Sequence, residues 1–284
     1  MERIACFPFQ VPGSEGEIDN GERKNGFASF HGFNAEFDVQ ERELGIMRKV
    51  IQFDIHEVAP SPIEVLESQG MAGRENLPVR IRTLLDSALD LFKELAEPRG
   101  ILEEWPVTDF ETVYNGQGLN SPDGPVPKIV SQADGLAIFA ATLGNALISK
   151  SNELFAKGGP ALGFMLDAVN SSGAERLGRF MAHRFLELLP EELRQSKKLK
   201  AQYYSPGHCG WHISGQARLF ELLHPEEIGV SLNTRWVMLP VKSISGFLVA
   251  GETHIHRFRP NFPFCKDCKE HKCVQRLAIL ENTN

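Results

Sequence analysis

The sequence lacks an apolar run long enough to cross a membrane. The longest run, around residues 136–148, is interrupted by Asn145 and falls short of the roughly 20 apolar residues that a spanning helix needs. The N-terminal residues also lack a long apolar stretch ending in a cleavage site of small residues, so they do not read as a secretory signal. We therefore expect no membrane segment and a cytoplasmic location.

An excess of basic residues is also absent. The 284 residues include 30 Lys plus Arg and 37 Asp plus Glu, which gives a formal net charge of -7. Nucleic-acid phosphates select for a basic surface, so we expect no nucleic-acid partner. Hydrophobic residues make up 42% and charged residues 24%, as in a globular protein that buries a core rather than a disordered chain.

Common catalytic motifs are missing too. The sequence has no Gly-rich phosphate loop, no GxSxG nucleophile elbow and no HExxH zinc motif. The predicted helices and strands follow one another irregularly, with no repeating βαβ unit and no internal repeat. This order favours an α+β fold.

Hydrophobic spacing predicts the main elements. Helices are predicted over residues 78–96, from Ser131 to about residue 156, from Pro160 to about residue 188, and over 214–223. Residues 105–128 hold four prolines and three glycines, which predicts a long loop with a short strand at 111–114. Two further strands are predicted at 236–241 and 245–250. Small or polar residues at 170–174 either break the third helix or admit another backbone or a ligand.

The two ends of the chain differ from its centre. Residues 12–34 carry five glycines among polar residues, which predicts a flexible arm over residues 1–35. Between residues 254 and 276, six basic and two acidic side chains give a net charge of +4, so the rest of the chain carries -11. We expect a domain over residues 36–258 and a basic, cysteine-rich tail over 259–284.

The tail contains three of the five cysteines, Cys265, Cys268 and Cys273. Three thiolates on a short basic loop can hold an iron–sulfur cluster or a zinc ion, with a histidine or a more distant cysteine as fourth ligand. They can equally remain unligated. The sequence leaves these alternatives open.

Residues 203–212 form the densest group of candidate functional residues. Pro206, Gly207 and Gly210 favour a tight turn whose backbone amides can approach a ligand, and aromatic and imidazole side chains surround them. The alternative is a surface turn that covers a buried Trp211.

This loop and several other motifs resemble, in order, the activation domain of vitamin B12-dependent methionine synthase, especially its free-standing form. The motifs are 204–211 (YSPGHCGW), 216–223 (QARLFELL), 228–234 (IGVSLNT), 237–240 (VMLP) and 242–246 (KSISG), with upstream segments 133–144, 166–169 and 172–175. The similarity spans most of the chain between residues 55 and 250. It implies a single α+β domain with a small antiparallel, twisted sheet flanked by helices.

The resemblance also implies a function. Such a domain binds S-adenosylmethionine in a shallow groove and presents the methyl group to a cobalamin. When cob(I)alamin is oxidised to cob(II)alamin, an electron from flavodoxin or ferredoxin, coupled to this methyl transfer, restores methylcobalamin. The sequence has no DxHxxG motif, so the cobalamin must come from a partner corrinoid protein or cobalamin-dependent methyltransferase. The alternative is a non-catalytic redox or scaffold module that uses a C-terminal iron–sulfur or zinc site to bind or reduce a corrinoid protein.

The resemblance implies roles for particular residues. Glu175 matches a glutamate that pairs with the amine of S-adenosylmethionine. Ser205, Pro206 and Gly207 match the loop whose backbone holds the methionine moiety. Ser245 and Gly246 match the strand pair that closes the groove.

Two positions depart from the family pattern. Ungapped alignment on the Pro-Gly pair places Tyr203, followed by Tyr204, where methionine synthase begins this loop with an arginine that contacts the carboxylate. A different group must then neutralise the carboxylate. His208 replaces a tyrosine that lies near the cofactor, and its titratable ring makes it the candidate catalytic residue.

Overall fold

A computed structural model of the protein describes residues 47–71, 77–258 and 262–263. Antiparallel strands form the centre of this part of the chain. Five strands form one sheet in the order β1-β2-β3-β7-β4. They are β1 (Arg48–Gln52), β2 (Arg99–Glu104), β3 (Gly135–Thr142), β4 (Leu199–Tyr204) and β7 (Ser243–Glu252). Two short strands, β5 (Ser231–Leu232) and β6 (Met238–Leu239), pair with each other.

Helices cover both faces of the sheet. In chain order they are α1 (Ile55–Val58), α2 (Pro62–Ser68), α3 (Val79–Leu95), α4 (Phe110–Tyr114), α5 (Val126–Val130), α6 (Ala146–Ala156), α7 (Pro160–Leu188), α8 (Glu191–Ser196) and α9 (Gly215–Leu223). Residues of α3, α6 and α7 pack in one core, and residues of α4, α5 and α9 pack in the other. The predicted α+β fold with an antiparallel sheet flanked by helices is confirmed.

The central strand β3 corrects one sequence prediction. Its eight residues are all buried, because alternate side chains enter opposite cores: Ala137 and Phe139 on the α7 side, Leu136 and Ile138 on the α4 side. The helix predicted from Ser131 is therefore wrong over the first half of its length, and only α6 remains. A strand covered on both faces gives an unbroken apolar run, which lacks the alternation that reveals a half-buried strand.

The predicted loop at 105–128 is also partly wrong. Residues 110–114 form a helix instead of the predicted strand, because Phe110, Val113 and Tyr114 are buried against the second core. Pro125 and Pro127 stand at the beginning of α5, where proline fits a helix. The helices predicted at 78–96, from Pro160 and at 214–223 are confirmed as α3, α7 and α9. The strand predicted at 236–241 shrinks to β6, whereas that at 245–250 lengthens to β7.

The small residues in the middle of α7 serve helix packing, and the helix continues through them. A β-carbon added to Gly173 would lie 2.5 Å from Cε2 of Phe92 in α3. Glycine therefore lets α3 and α7 approach closely.

A charged cluster fastens α2 to α7. The Glu64 carboxylate accepts hydrogen bonds from the Ser61 backbone at 2.8 Å, from Arg179 Nη2 at 2.7 Å and from Arg176 Nη1 at 3.2 Å. Burial opposes ionisation of this carboxyl, but the Ser61 hydrogen bonds and the two arginine charges outweigh it and lower its pKa below 4.5. Ionised Glu64 therefore stabilises the fold above the pKa of the unfolded chain, and this contribution is lost as the pH falls through the lowered folded-state pKa.

Strand β4 ends where its chain passes over Gly246 of β7. Gly246 has φ +150°, and a β-carbon there would overlap the carbonyl oxygen of Tyr204 and lie 3.0 Å from Cα of Ser205. Only a glycine in β7 permits this crossing.

The Glu64 cluster predicts a pH-dependent loss of stability. Replacing Glu64→Gln removes the charge and weakens the capping box. We therefore expect the free energy of unfolding at pH 7 to fall by about 1 kcal/mol. Urea unfolding of the variant and of the original protein should converge as the pH falls below the folded-state pKa. Glu67→Gln, an exposed change in the same helix, serves as the control. A constant difference between the two proteins at all pH values would contradict this role.

The crossing at Gly246 predicts a steric effect. Replacing Gly246→Ala should destabilise the protein by more than about 2 kcal/mol in urea unfolding, because neither backbone segment can move without breaking sheet pairing. Gly70→Ala is a suitable control, because Gly70 also has a positive φ of +70° but has no atom within 4 Å of an added β-carbon. Equal losses for the two variants would show that backbone conformation alone, and no clash, sets the cost at Gly246.

Candidate functional site

An open stretch of the β7 edge forms the floor of the candidate site. Strand β4 pairs with β7 only from Leu199 opposite Glu252 to Tyr204 opposite Phe247. Strand β3 pairs with β7 over a longer stretch, as far as Thr142 opposite Ser243. Within the described ranges, residues 243–246 therefore have a strand on one side only. Ser243 and Ile244 are partly exposed, so their backbone can be approached from the other side, as at an unpaired sheet edge, whereas Ser245 and Gly246 are buried.

Helix α7 packs over this stretch of β7 on one face of the sheet. The ammonium of Lys242 donates a hydrogen bond to Ser171 Oγ at 2.8 Å. Two turns further along the helix, a β-carbon added to Gly178 would lie 2.9 Å from Cδ1 of Ile244 and 3.0 Å from Cε1 of Tyr203. Helical periodicity puts Glu175 between Ser171 and Gly178 on the same face. The structure thus places the segment of α7 that contains Glu175 next to Tyr203 and the start of β7.

The loop after β4 is closely folded. The Gly207 amide donates to the Trp211 carbonyl at 2.7 Å, and the Trp211 amide donates to the His208 carbonyl at 2.9 Å. Gly207, Cys209 and Gly210 have φ values of +90°, +53° and +78°. Left-handed conformations of this kind explain the two glycines that the sequence places here.

A buried tryptophan anchors the loop. Trp211 is 1% exposed and stacks on Phe247 of β7 with ring centroids 4.8 Å apart. The amide of Ser121 also donates to the Gly210 carbonyl at 2.8 Å. The loop therefore has a fixed inner side, while Gly207 and His208 lie exposed at its outer side.

Two serine hydroxyls at the site are buried without a partner among the described residues. They belong to Ser205, directly after β4, and to Ser245, on the open stretch of β7. A buried hydroxyl without a hydrogen bond costs about 1–3 kcal/mol. Such atoms are uncommon in folded proteins, and each calls for an explanation.

The predicted site residues do not all face the same way. Tyr204 and Ser245 point to the α4 side of the sheet, because side chains alternate along a strand, whereas Tyr203 points to the α7 side. The Tyr204 hydroxyl lies 2.9 Å from Nδ1 of His256, whose Nε2 lies 3.2 Å from the Lys200 carbonyl oxygen. Tyr204 therefore supports the floor of the site from below.

The sequence analysis missed a charged pair at the start of β7. Lys242 Nζ lies 2.8 Å from Asp167 Oδ1 of α7, and the lysine side chain is only 12% exposed, against 50% for the aspartate. A lysine within the otherwise small and apolar segment 242–246 was the available signal. Its partners come from a helix more than 70 residues away, which the sequence does not reveal.

The predicted metal ligands Cys265, Cys268 and Cys273 lie outside the described residues, as does the predicted arm at 1–35. Among the residues that the structure describes, no group of three His, Cys, Asp or Glu side chains is arranged to hold a metal ion. No described helix is long and apolar enough to span a membrane.

Comparisons with known proteins relate this geometry to a family. Residues 126–259 match the family model for the activation domain of vitamin B12 dependent methionine synthase. A crystal structure of the MetH reactivation domain bound to AdoHcy shares the fold, with a TM-score of 0.51 and 17% identity over 72% of this chain and 78% of that chain. No curated protein matches the sequence. The similarity to the activation domain of vitamin B12-dependent methionine synthase, predicted from the ordered motifs, is therefore confirmed, by sequence over residues 126–259 and by fold over 72% of the chain.

Proposed function

We propose that this protein binds S-adenosylmethionine beside the open edge of β7 and supports reductive methylation of cob(II)alamin on a partner corrinoid-dependent methyltransferase. The observation that carries the proposal is this edge, with the unpartnered Ser205 hydroxyl and with Glu175 and the 205–211 loop beside it. All these residues lie in the segment that matches the activation-domain family. The solved reactivation domain of similar fold binds AdoHcy, the demethylated form of this ligand.

The residues present fit the polar groups of S-adenosylmethionine. Its amine needs an anion, which Glu175 supplies from α7. Its methionine moiety needs backbone donors and acceptors, which the loop at Ser205–Gly207 and the open edge near Gly246 provide. The Ser205 hydroxyl gains a hydrogen-bond partner that it lacks, whereas Ser245 points to the opposite, α4 side of the sheet.

The protein contributes positioning. S-adenosylmethionine carries the transferable methyl group, and the corrinoid of the partner accepts it. Glu175 and the loop fix the amino-acid end of the ligand, and α7 and β7 exclude water from one side of the groove. His208 lies exposed on the outer side of the loop, where a corrinoid carried by another protein can approach. The electron comes from flavodoxin or ferredoxin in this proposal.

The carboxylate of Glu175 is the first element to test. Replacing Glu175→Gln should weaken S-adenosylmethionine binding, measured by titration calorimetry, by roughly 10- to 100-fold, because a charged hydrogen bond is lost. Glu187→Gln in the same helix is the matched control, since Glu187 pairs with Arg184 at 2.9 Å. Unchanged affinity in the Glu175 variant would refute its role, and no binding by the original protein would refute the proposed function.

Reactivation itself can be measured with a methionine synthase that lacks its own activation domain and holds cob(II)alamin. With flavodoxin as electron donor, methylcobalamin should form only when both this protein and S-adenosylmethionine are present. His208→Ala should slow this formation roughly 10-fold, since small displacements of reacting groups are costly, with little change in S-adenosylmethionine affinity. Cob(I)alamin that accumulates with this protein and flavodoxin but without S-adenosylmethionine would favour the alternative redox module.

A further inference from the structure

We infer that Lys242 binds the carboxylate of the methionine moiety and thereby makes the groove selective for ligands with an intact α-amino acid end. This inference rests on the proposed function. It names the side chain that recognises the carboxylate end of the ligand. Neither the family match nor the similar structure assigns this role to Lys242.

Lys242 lies at the beginning of the open edge. It directly precedes the open stretch of β7 at 243–246, and its ammonium reaches α7 at Ser171 Oγ, 2.8 Å away. The side chain is 12% exposed. A covered ammonium is costly unless it is paired and hydrogen-bonded, so this charge is held at the groove by the fold.

The partner of Lys242 on α7 lies one helical turn from Glu175. Ser171 and Glu175 are four residues apart on one helix face, so their side chains begin about 5–6 Å from each other. The ammonium of Lys242 lies at Ser171. Glu175 follows one helical turn further along α7. An α-amino acid carries its own ammonium and carboxylate on one carbon, and charged hydrogen bonds measure about 2.7–2.9 Å. A cation and an anion one helical turn apart therefore suit one zwitterion.

The Lys242 ammonium has more hydrogen-bond donors than its two contacts use. An ammonium has three donors, and the structure gives contacts from Lys242 Nζ to Ser171 Oγ and Asp167 Oδ1. The third donor is the one that we assign to the ligand carboxylate. Asp167 is half exposed, so it holds the ammonium in place while water still solvates its own charge.

Two ligands separate this role from a general role in binding. S-adenosylmethionine has the carboxylate, whereas decarboxylated S-adenosylmethionine keeps the amine, the sulfonium and the adenine but lacks it. Lys242→Met should weaken binding of S-adenosylmethionine about 10- to 100-fold and leave binding of the decarboxylated ligand within about twofold. Glu175→Gln should weaken both ligands, because both carry the amine.

Controls keep the test decisive. Lys242→Arg retains the charge and should recover most of the affinity, and thermal unfolding reports whether each variant is folded. If Lys242→Met does not fold, Lys242→Gln replaces it, and a loss of affinity confined to S-adenosylmethionine is again expected. Equal losses for the two ligands, or no loss for either, would overturn the role of Lys242. Failure of the original protein to bind S-adenosylmethionine at all would instead overturn the proposed function.

Discussion

The pairing of β3 with β7 is the constraint on which the rest of the structure depends. The two strands pair in antiparallel register from Gly135 opposite Ala250 to Thr142 opposite Ser243. Both strands are buried on both faces, so successive side chains along each strand enter the two cores in turn. A shift of one residue would exchange the two cores, and this fixes the register strongly. The register in turn decides which residues of β7 remain without a strand on the β4 side.

The site follows from a difference in strand length. Strand β7 continues for several residues beyond the end of β4, and Gly246 lets the chain of β4 leave the sheet at that point. The departing chain becomes the loop that Trp211 anchors. Helix α7 then covers the free edge from one side, because small residues allow it to lie close to the sheet. The groove is therefore made by the end of one strand, and no separate element is needed to build it.

These relations show what the sequence could and could not predict. The loop at 203–212 was recognisable, because its glycines, proline and aromatic residues mark a tight turn with a buried anchor. The long helix α7 was recognisable by its spacing. Strand β3 was not, since burial on both faces removes the alternation by which a strand is usually recognised. The orientations of Tyr203 and Tyr204 also depend on strand register, which the sequence alone does not specify.

The contacts of Lys242 show a second limit of sequence reasoning. A lysine in a sequence is most often a solvated surface group. Only the packing of α7 against β7 makes this one a covered cation with fixed partners. Its meaning therefore depends on a contact between segments that lie far apart in the chain.

The unsatisfied polar groups of the groove persist because the two cores around them are complete. Ser205 and Ser245 carry buried hydroxyls without partners among the described residues, a local cost that a loosely packed region would relieve by moving. Here Trp211 and Phe247 hold the loop and strand from one side, and Gly178 brings α7 against Tyr203 on the other. Neither serine can turn to a new partner without disturbing a core. Rigid packing thus explains why both hydroxyls stay without partners among the described residues.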